Sequence, residues 1–322
     1  PMETPQSPPS ISRRHFLSFA GGAAALSAAG CASSPAPASS PGIAWGRSAF
    51  ADRFDPWIEL DRAGYRNNVR EASRLAGGRP ILAVVKNNAY GLDLATAGRI
   101  LERDPGVSGF AVVKGEEALK LRKAGIQKPI LLMGMFSPDQ GPELAEANVE
   151  FSAFTTDAAE RLLSVARAVG RPVATHLYLD TGMGRMGMSF RNALPWMEEL
   201  GRHPEIHVHG TFTELGEDRE FDPEQLRRFL EVTGRARDAG VELGRLHAAA
   251  SNGVFHFPDS HLDLVRPGIA LFGSYPSEPE KERQAATLRS ALRLKARVVR
   301  VSQLEAGDGV GYGRPWIADR PT

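Results

Sequence analysis

Lys86 stands where the apolar run Ile81–Val85 gives way to Asn87-Asn88-Ala89-Tyr90-Gly91. An uninterrupted apolar run of that length reads as a parallel strand buried on both faces, so the lysine sits where a strand leaves the core. An amine held there is poorly solvated, which favours its uncharged form and with it Schiff-base chemistry on a carbonyl compound. The same position equally suits a lysine that lays its stem along an apolar rim and keeps its ammonium in water. Further candidates follow along the chain. Leu179-Asp180-Thr181-Gly182-Met183-Gly184-Arg185 and Val265-Arg266-Pro267-Gly268-Ile269 each carry an arginine beside glycine after an apolar run. Val310-Gly311-Tyr312-Gly313 sets a phenol between glycines. Read alone, the two arginines suit a rim salt bridge and a loop anchor, and the tyrosine suits an exposed turn. His207 and His209 alternate along a strand, a spacing open to a metal, but no acidic or cysteine cluster accompanies them and no metal site is expected.

The elements that would carry these residues alternate. Strands are expected at Ile81–Val85, Gly109–Val113, Ile130–Met133, Glu150–Ala153, Val173–Leu179, Ile206–Phe212, Gly244–Ala249 and Leu262–Val265. Helical periodicity fills most gaps between them, best over Pro223–Ala239, where Asp222 before the proline reads as an N-cap. Eight βα units over roughly 190 residues predict an α/β fold, a (β/α)₈ TIM barrel, and they place Lys86, Asp180–Arg185, Thr211–Glu214, His247–Asn252 and Arg266–Ile269 at the carboxyl ends of strands, where barrel sites form. No glycine-rich dinucleotide turn follows the first strand, which argues against an open doubly wound sheet. Beyond the barrel, Ala291–Val301 alternates with period two and predicts a half-exposed antiparallel strand opening a second, incomplete β-domain.

The segment VVKNNAYG, followed in order by LDTGMGRMG, VRPGI and GVGYG, resembles the alanine racemases from about Trp57 to the end of the chain. The resemblance implies racemisation of L- and D-alanine by two bases with pyridoxal 5'-phosphate (PLP) as cofactor. It makes Lys86 the cofactor anchor and the base on one face, and Tyr312, given to the partner subunit's site, the base on the other. It therefore implies a homodimer with shared active sites. By the same resemblance Arg266 faces the cofactor's pyridine nitrogen, and Arg185 lies near its phenolic oxygen and the substrate carboxylate. Ser251, Gly268 and Ile269 form the phosphate cradle, Tyr90 contacts the cofactor, and Trp57–Leu60 joins the C-terminal β-domain. Three positions depart from the family pattern: Tyr178 replaces a lysine, Glu214 a histidine stacked on the pyridine ring, and Ala250 an asparagine. The segment expected after the GVGYG motif is cut short. Two other readings stay open: an exported racemase of broader amino-acid range, and a PLP-binding barrel without a reaction of its own.

Net charge is +1, from 39 basic and 38 acidic residues, and no basic stripe with interleaved aromatics occurs, so a nucleic-acid partner is not expected. The single cysteine, Cys31, rules out an internal disulfide framework. It ends a segment in which Arg13-Arg14 precedes an apolar, alanine-rich run from Phe16 to Ala29, too short for a stable membrane span. That pattern resembles a twin-arginine export signal with a lipoprotein-like box at Cys31, and it predicts a periplasmic protein. The chain thus divides into an export signal over 1–31, a Pro/Ser/Ala-rich linker over 32–54, the barrel over 55–276 and the incomplete β-domain over 277–322.

Overall fold

Residues 55–322 are described by a computed structural model; the expected export signal, Cys31 and the linker lie outside the described residues. Strands β2 (Ile81–Val84), β3 (Val107–Val112), β4 (Ile130–Leu132), β5 (Val149–Ala153), β6 (Val173–Asp180), β8 (Ile206–Thr213) and β9 (Arg245–His247) pair in that order, all parallel. The two-residue β7 (Met188–Ser189) pairs with the end of β6. Helices return the chain between strands, among them α3 (Gly115–Lys123) after β3, α7 (Asp222–Asp238) after β8 and α8 (Ser251–His256) after β9, the alternation that a barrel requires.

The eighth strand expected at Leu262–Val265 is reduced to single bridges. Val265 bridges Ile81 and Arg266 bridges Ala250. Leu82 N–H donates to Val265 O at 2.9 Å, Val84 N–H to Pro267 O at 3.0 Å and Arg266 N–H to Ala249 O at 2.8 Å, so the ring closes through this segment. Pro267 explains the brevity: it has no N–H to give a ladder, and its ring fixes φ. The N-cap expected at Asp222 also differs. The helix begins at Asp222 itself, whose Oδ1 accepts from Asp218 N–H at 3.2 Å in the preceding turn.

Period two divides the strand residues between two cores. Ile81, Ala83 and Val85 join the layer between strands and helices, while Leu82 and Val84 turn into the barrel with Ala111, Leu131, Tyr178, Phe212 and Leu264. Continuing that alternation puts Lys86 on the inner side at the mouth. Beyond the barrel, β1 (Trp57–Leu60) pairs antiparallel with β10 (Leu292–Lys295). The strand expected over Ala291–Val301 is shorter than its sequence pattern; the side chains of Val298, Val299 and Val301 are exposed. A last hairpin, β11 (Gly309–Val310) with β12 (Trp316–Ile317), carries Tyr312 in its loop. Among the described residues no helix is long and apolar enough to cross a membrane.

Candidate active site

A cavity of about 400 Å³ opens at the carboxyl ends of the strands. Lys86 reaches it from an unusual turn. Asn87, Asn88, Ala89 and Tyr90 all have φ between 54° and 56°, a left-handed helical turn of non-glycine residues. Each such residue costs roughly 1–2 kcal/mol, least for asparagine, so the surroundings must hold the turn in place. They do: Glu117 at the start of α3 accepts from Asn88 N–H at 2.8 Å, and Asn88 Oδ1 accepts from Lys120 Nζ at 2.9 Å and Leu94 N–H at 3.1 Å. The turn aims both Lys86 and Tyr90 into the cavity. Burial raises the Tyr90 phenol above the ordinary tyrosine range, with the Glu214 carboxylate adding to the effect, so it is a neutral hydroxyl there.

Arg266 also lines the cavity and is buried to 1 % exposure. Its Nη2 donates to Thr213 O at 2.8 Å, Glu214 Oε2 at 3.1 Å and Ala248 O at 3.2 Å, and its Nη1 donates to His247 Nδ1 at 2.8 Å. A guanidinium removed from water needs such partners, and here they also fix its plane. Behind it, His247 Nε2 lies 3.0 Å from His176 Nδ1, and His176 Nε2 lies 2.8 Å from Glu150 Oε2. Phe212 stacks between His247 (5.0 Å) and Tyr178 (4.2 Å), packing this polar column against the aromatic interior. Burial, reinforced by the Arg266 charge, holds His247 well below the usual histidine range. Burial also lowers His176, against the pull of Glu150. For Glu150, burial opposes ionisation, but the hydrogen bonds from His176 and His209 prevail and keep it below the usual carboxylate range.

Ser251 and Gly268 line the cavity as well. Ser251 Oγ, at the start of α8, accepts from Gly268 N–H at 2.9 Å and Ala270 N–H at 3.3 Å. Gly268 must be glycine, because a Cβ there would run into the Tyr90 hydroxyl. Arg185 lies on a loop whose entry is pinned by Asp180 Oδ1, accepting from Gly182 N–H at 2.9 Å and Gly184 N–H at 3.1 Å. Glu217 also faces the cavity; burial and the nearby Glu214 and Asp222 carboxylates raise it above the usual range. The cavity therefore presents an amine, two guanidinium groups and a serine hydroxyl bonded to the Gly268 and Ala270 amides. That combination can hold a small phosphorylated carbonyl compound together with a carboxylate.

Lys86, Tyr90, Arg185, Ser251, Arg266, Gly268 and Ile269 thus line one cavity, as do the departing residues Tyr178, Glu214 and Ala250. Tyr312 does not: it is fully exposed in the last hairpin. His207 is exposed, and His209 donates from Nδ1 to Glu150 Oε1 at 3.1 Å. Sequence reasoning passed over Glu150, His176, Glu117 and Glu217. The signal for the first two was present, since a histidine or glutamate within an otherwise apolar barrel strand is a buried polar group in need of a partner.

Residues 60–276 match the family described as alanine racemase, N-terminal domain. The alanine racemase of Desulforamulus reducens is 34% identical over 272 residues, which span 83% of this chain and 73% of that protein. That of Sorangium cellulosum is 36% identical over 273 residues, 81% of this chain and 71% of that protein. Among solved structures, the alanine racemase of Clostridium difficile 630 superposes with a TM-score of 0.75 at 25% identity, covering 83% of this chain and 70% of its own. One from a D-cycloserine-producing Streptomyces lavendulae gives 0.73 at 30% identity, with 83% and 72% covered.

Proposed function

Because the chain belongs to the alanine racemase family, we propose that it interconverts L- and D-alanine, with PLP held on Lys86. The observation that carries this reading is the convergence of seven family-matched residues on one barrel-mouth cavity. The residues fit the cofactor: the Ser251 hydroxyl and the Gly268 and Ala270 amides, bonded to one another here, form a polar cluster that a phosphate would engage, and a buried cation, Arg266, lines the same cavity. When bound, PLP supplies an electron sink that acidifies the Cα hydrogen of an amino acid.

The protein's own groups do the rest. The Lys86 amine anchors the cofactor and takes or returns the proton on one face of Cα. Arg266, a permanent cation, would hold the pyridine end of the bound cofactor and disfavour protonation there, and Arg185 would bind the substrate carboxylate. Tyr312 of a second copy serves the other face. Its full exposure, together with that of Leu294, Val298, Val299 and Val301 in the same C-terminal part of the chain, suits a surface that a partner subunit covers. The segment 1–31 directs export to the periplasm, with Cys31 as a lipid attachment point, where the enzyme supplies D-alanine.

The test uses Lys86→Ala and Tyr312→Phe. Lys86→Ala is expected to lose both the visible absorption of lysine-bound pyridoxal and all racemisation. Tyr312→Phe is expected to keep the absorption and lose turnover in both directions. Unchanged absorption in the first variant refutes the anchor; unchanged turnover in the second refutes the opposite-face base.

A further inference from the structure

The column behind Arg266 has only one self-consistent arrangement of protons. Arginine stays protonated and only donates, so His247 Nδ1, 2.8 Å from Nη1, must present a lone pair. The His247 proton is then on Nε2, 3.0 Å from His176 Nδ1, which must accept it. That leaves the His176 proton on Nε2, 2.8 Å from Glu150 Oε2, and an ionised carboxylate only accepts. Glu150 Oε1 receives the His209 Nδ1–H at 3.1 Å. Donation runs from the cavity toward Glu150 and ends there. Burial keeps both central rings neutral, as this order demands.

We propose that Glu150, on the second residue of β5 and away from the cavity, is a positioning residue for the racemisation. By accepting at the end of the column it fixes the proton on both histidines, so a lone pair and never an N–H meets Arg266, and the guanidinium is held against the cavity. A protonated Nδ1 on His247 would put donor against donor and turn Arg266 away. The backbone is shaped for this column. The register between β6 and β8 slips at Thr175/His176 and skips His209, giving that side chain its reach to Glu150. Position 210 has no room for a side chain, since a Cβ would lie 2.6 Å from His176 Nδ1 and 2.8 Å from its Cε1. The catalytic consequence rests on the function proposed above; the proton order does not.

Two measurements test it on the full chain. Nitrogen NMR of the cofactor-free protein labelled at histidine should show His176 and His247 both protonated on Nε2. An Nδ1–H on either ring overturns the proposal. Steady-state kinetics then compares Glu150→Gln, whose amide oxygen can still accept, with Glu150→Leu, which cannot. Glu150→Gln should stay within about twofold of the parent, while Glu150→Leu should lose about tenfold in kcat with KM unchanged, the size of one buried hydrogen bond lost from the transition state. Glu150→Leu at parental turnover overturns the positioning role. The wild-type tautomers decide the proton order whether or not Glu150→Leu folds. Absence of racemisation by the wild-type chain counts against the proposed function alone.

Discussion

Gly210→Ala probes the barrel interior at the point where space is least available. The new Cβ would lie 2.6 Å from His176 Nδ1, 2.8 Å from its Cε1 and 2.9 Å from Arg245 O. None of these can give way easily. The His176 ring is held between His247 and Glu150, and Arg245 O belongs to the strand paired with Gly210. Overpacking a rigid interior costs about 1–3 kcal/mol, and the upper end applies here. Displacing the ring would also leave buried donors and acceptors without partners, at about 1–3 kcal/mol each. A total loss of about 3–5 kcal/mol is expected, read as a lower midpoint in urea unfolding with the denaturant slope unchanged. The His176→Ala background isolates the cause. With the ring removed, the two closest contacts of alanine at 210 are gone and the Arg245 carbonyl remains, so its cost should fall by about 2 kcal/mol, a coupling within the range seen for residues in contact. A loss below about 1 kcal/mol in the parent, or additive costs in the double variant, would refute the argument that Gly210 exists to admit His176.

Ser251→Ala removes the acceptor shared by the Gly268 and Ala270 amides and should destabilise the cofactor-free protein by about 1–3 kcal/mol. The deficit should shrink when PLP is bound, because its phosphate offers replacement acceptors; melting curves with and without PLP check this, and an equal deficit in both states refutes the cradle. The buried histidines predict a pH dependence. His176 and His247 are both lowered in the folded state, so the unfolded chain binds more protons as pH falls below the ordinary histidine value of 6.5. Their contribution is complete above that value and is lost on acidification, by up to about 1.4 kcal/mol per pH unit for each ring that stays neutral. Unfolding midpoints measured between neutral and mildly acid pH should fall accordingly, and His247→Gln should reduce the slope.

The residues around the cavity were legible because their chemistry is local. A lysine ending an apolar strand and an arginine before Pro-Gly are recognisable as linear motifs, and strand counting put both at the same end of the barrel as Ser251. Period two even set the inner face, since Leu82 and Val84 point inward and Lys86 continues their series. The eighth strand was overread because Leu262–Val265 is apolar, while Pro267 limits how far its ladder can run. The last strand was overread because alternation records a face that is polar and a face that is not, but does not say whether a neighbour is there to pair with it.

Strand counting determined the fold class and the ring of residues at the barrel mouth, and four ordered motifs carried the resemblance to the family, because each depends on contiguous sequence. Only the tertiary structure decided the left-handed turn that aims Lys86, its clamp by Glu117, and the column from Arg266 through His247 and His176 to Glu150. Those partners come from different strands and helices, and which donor meets which acceptor is settled by strand register and ring closure, which no linear spacing encodes.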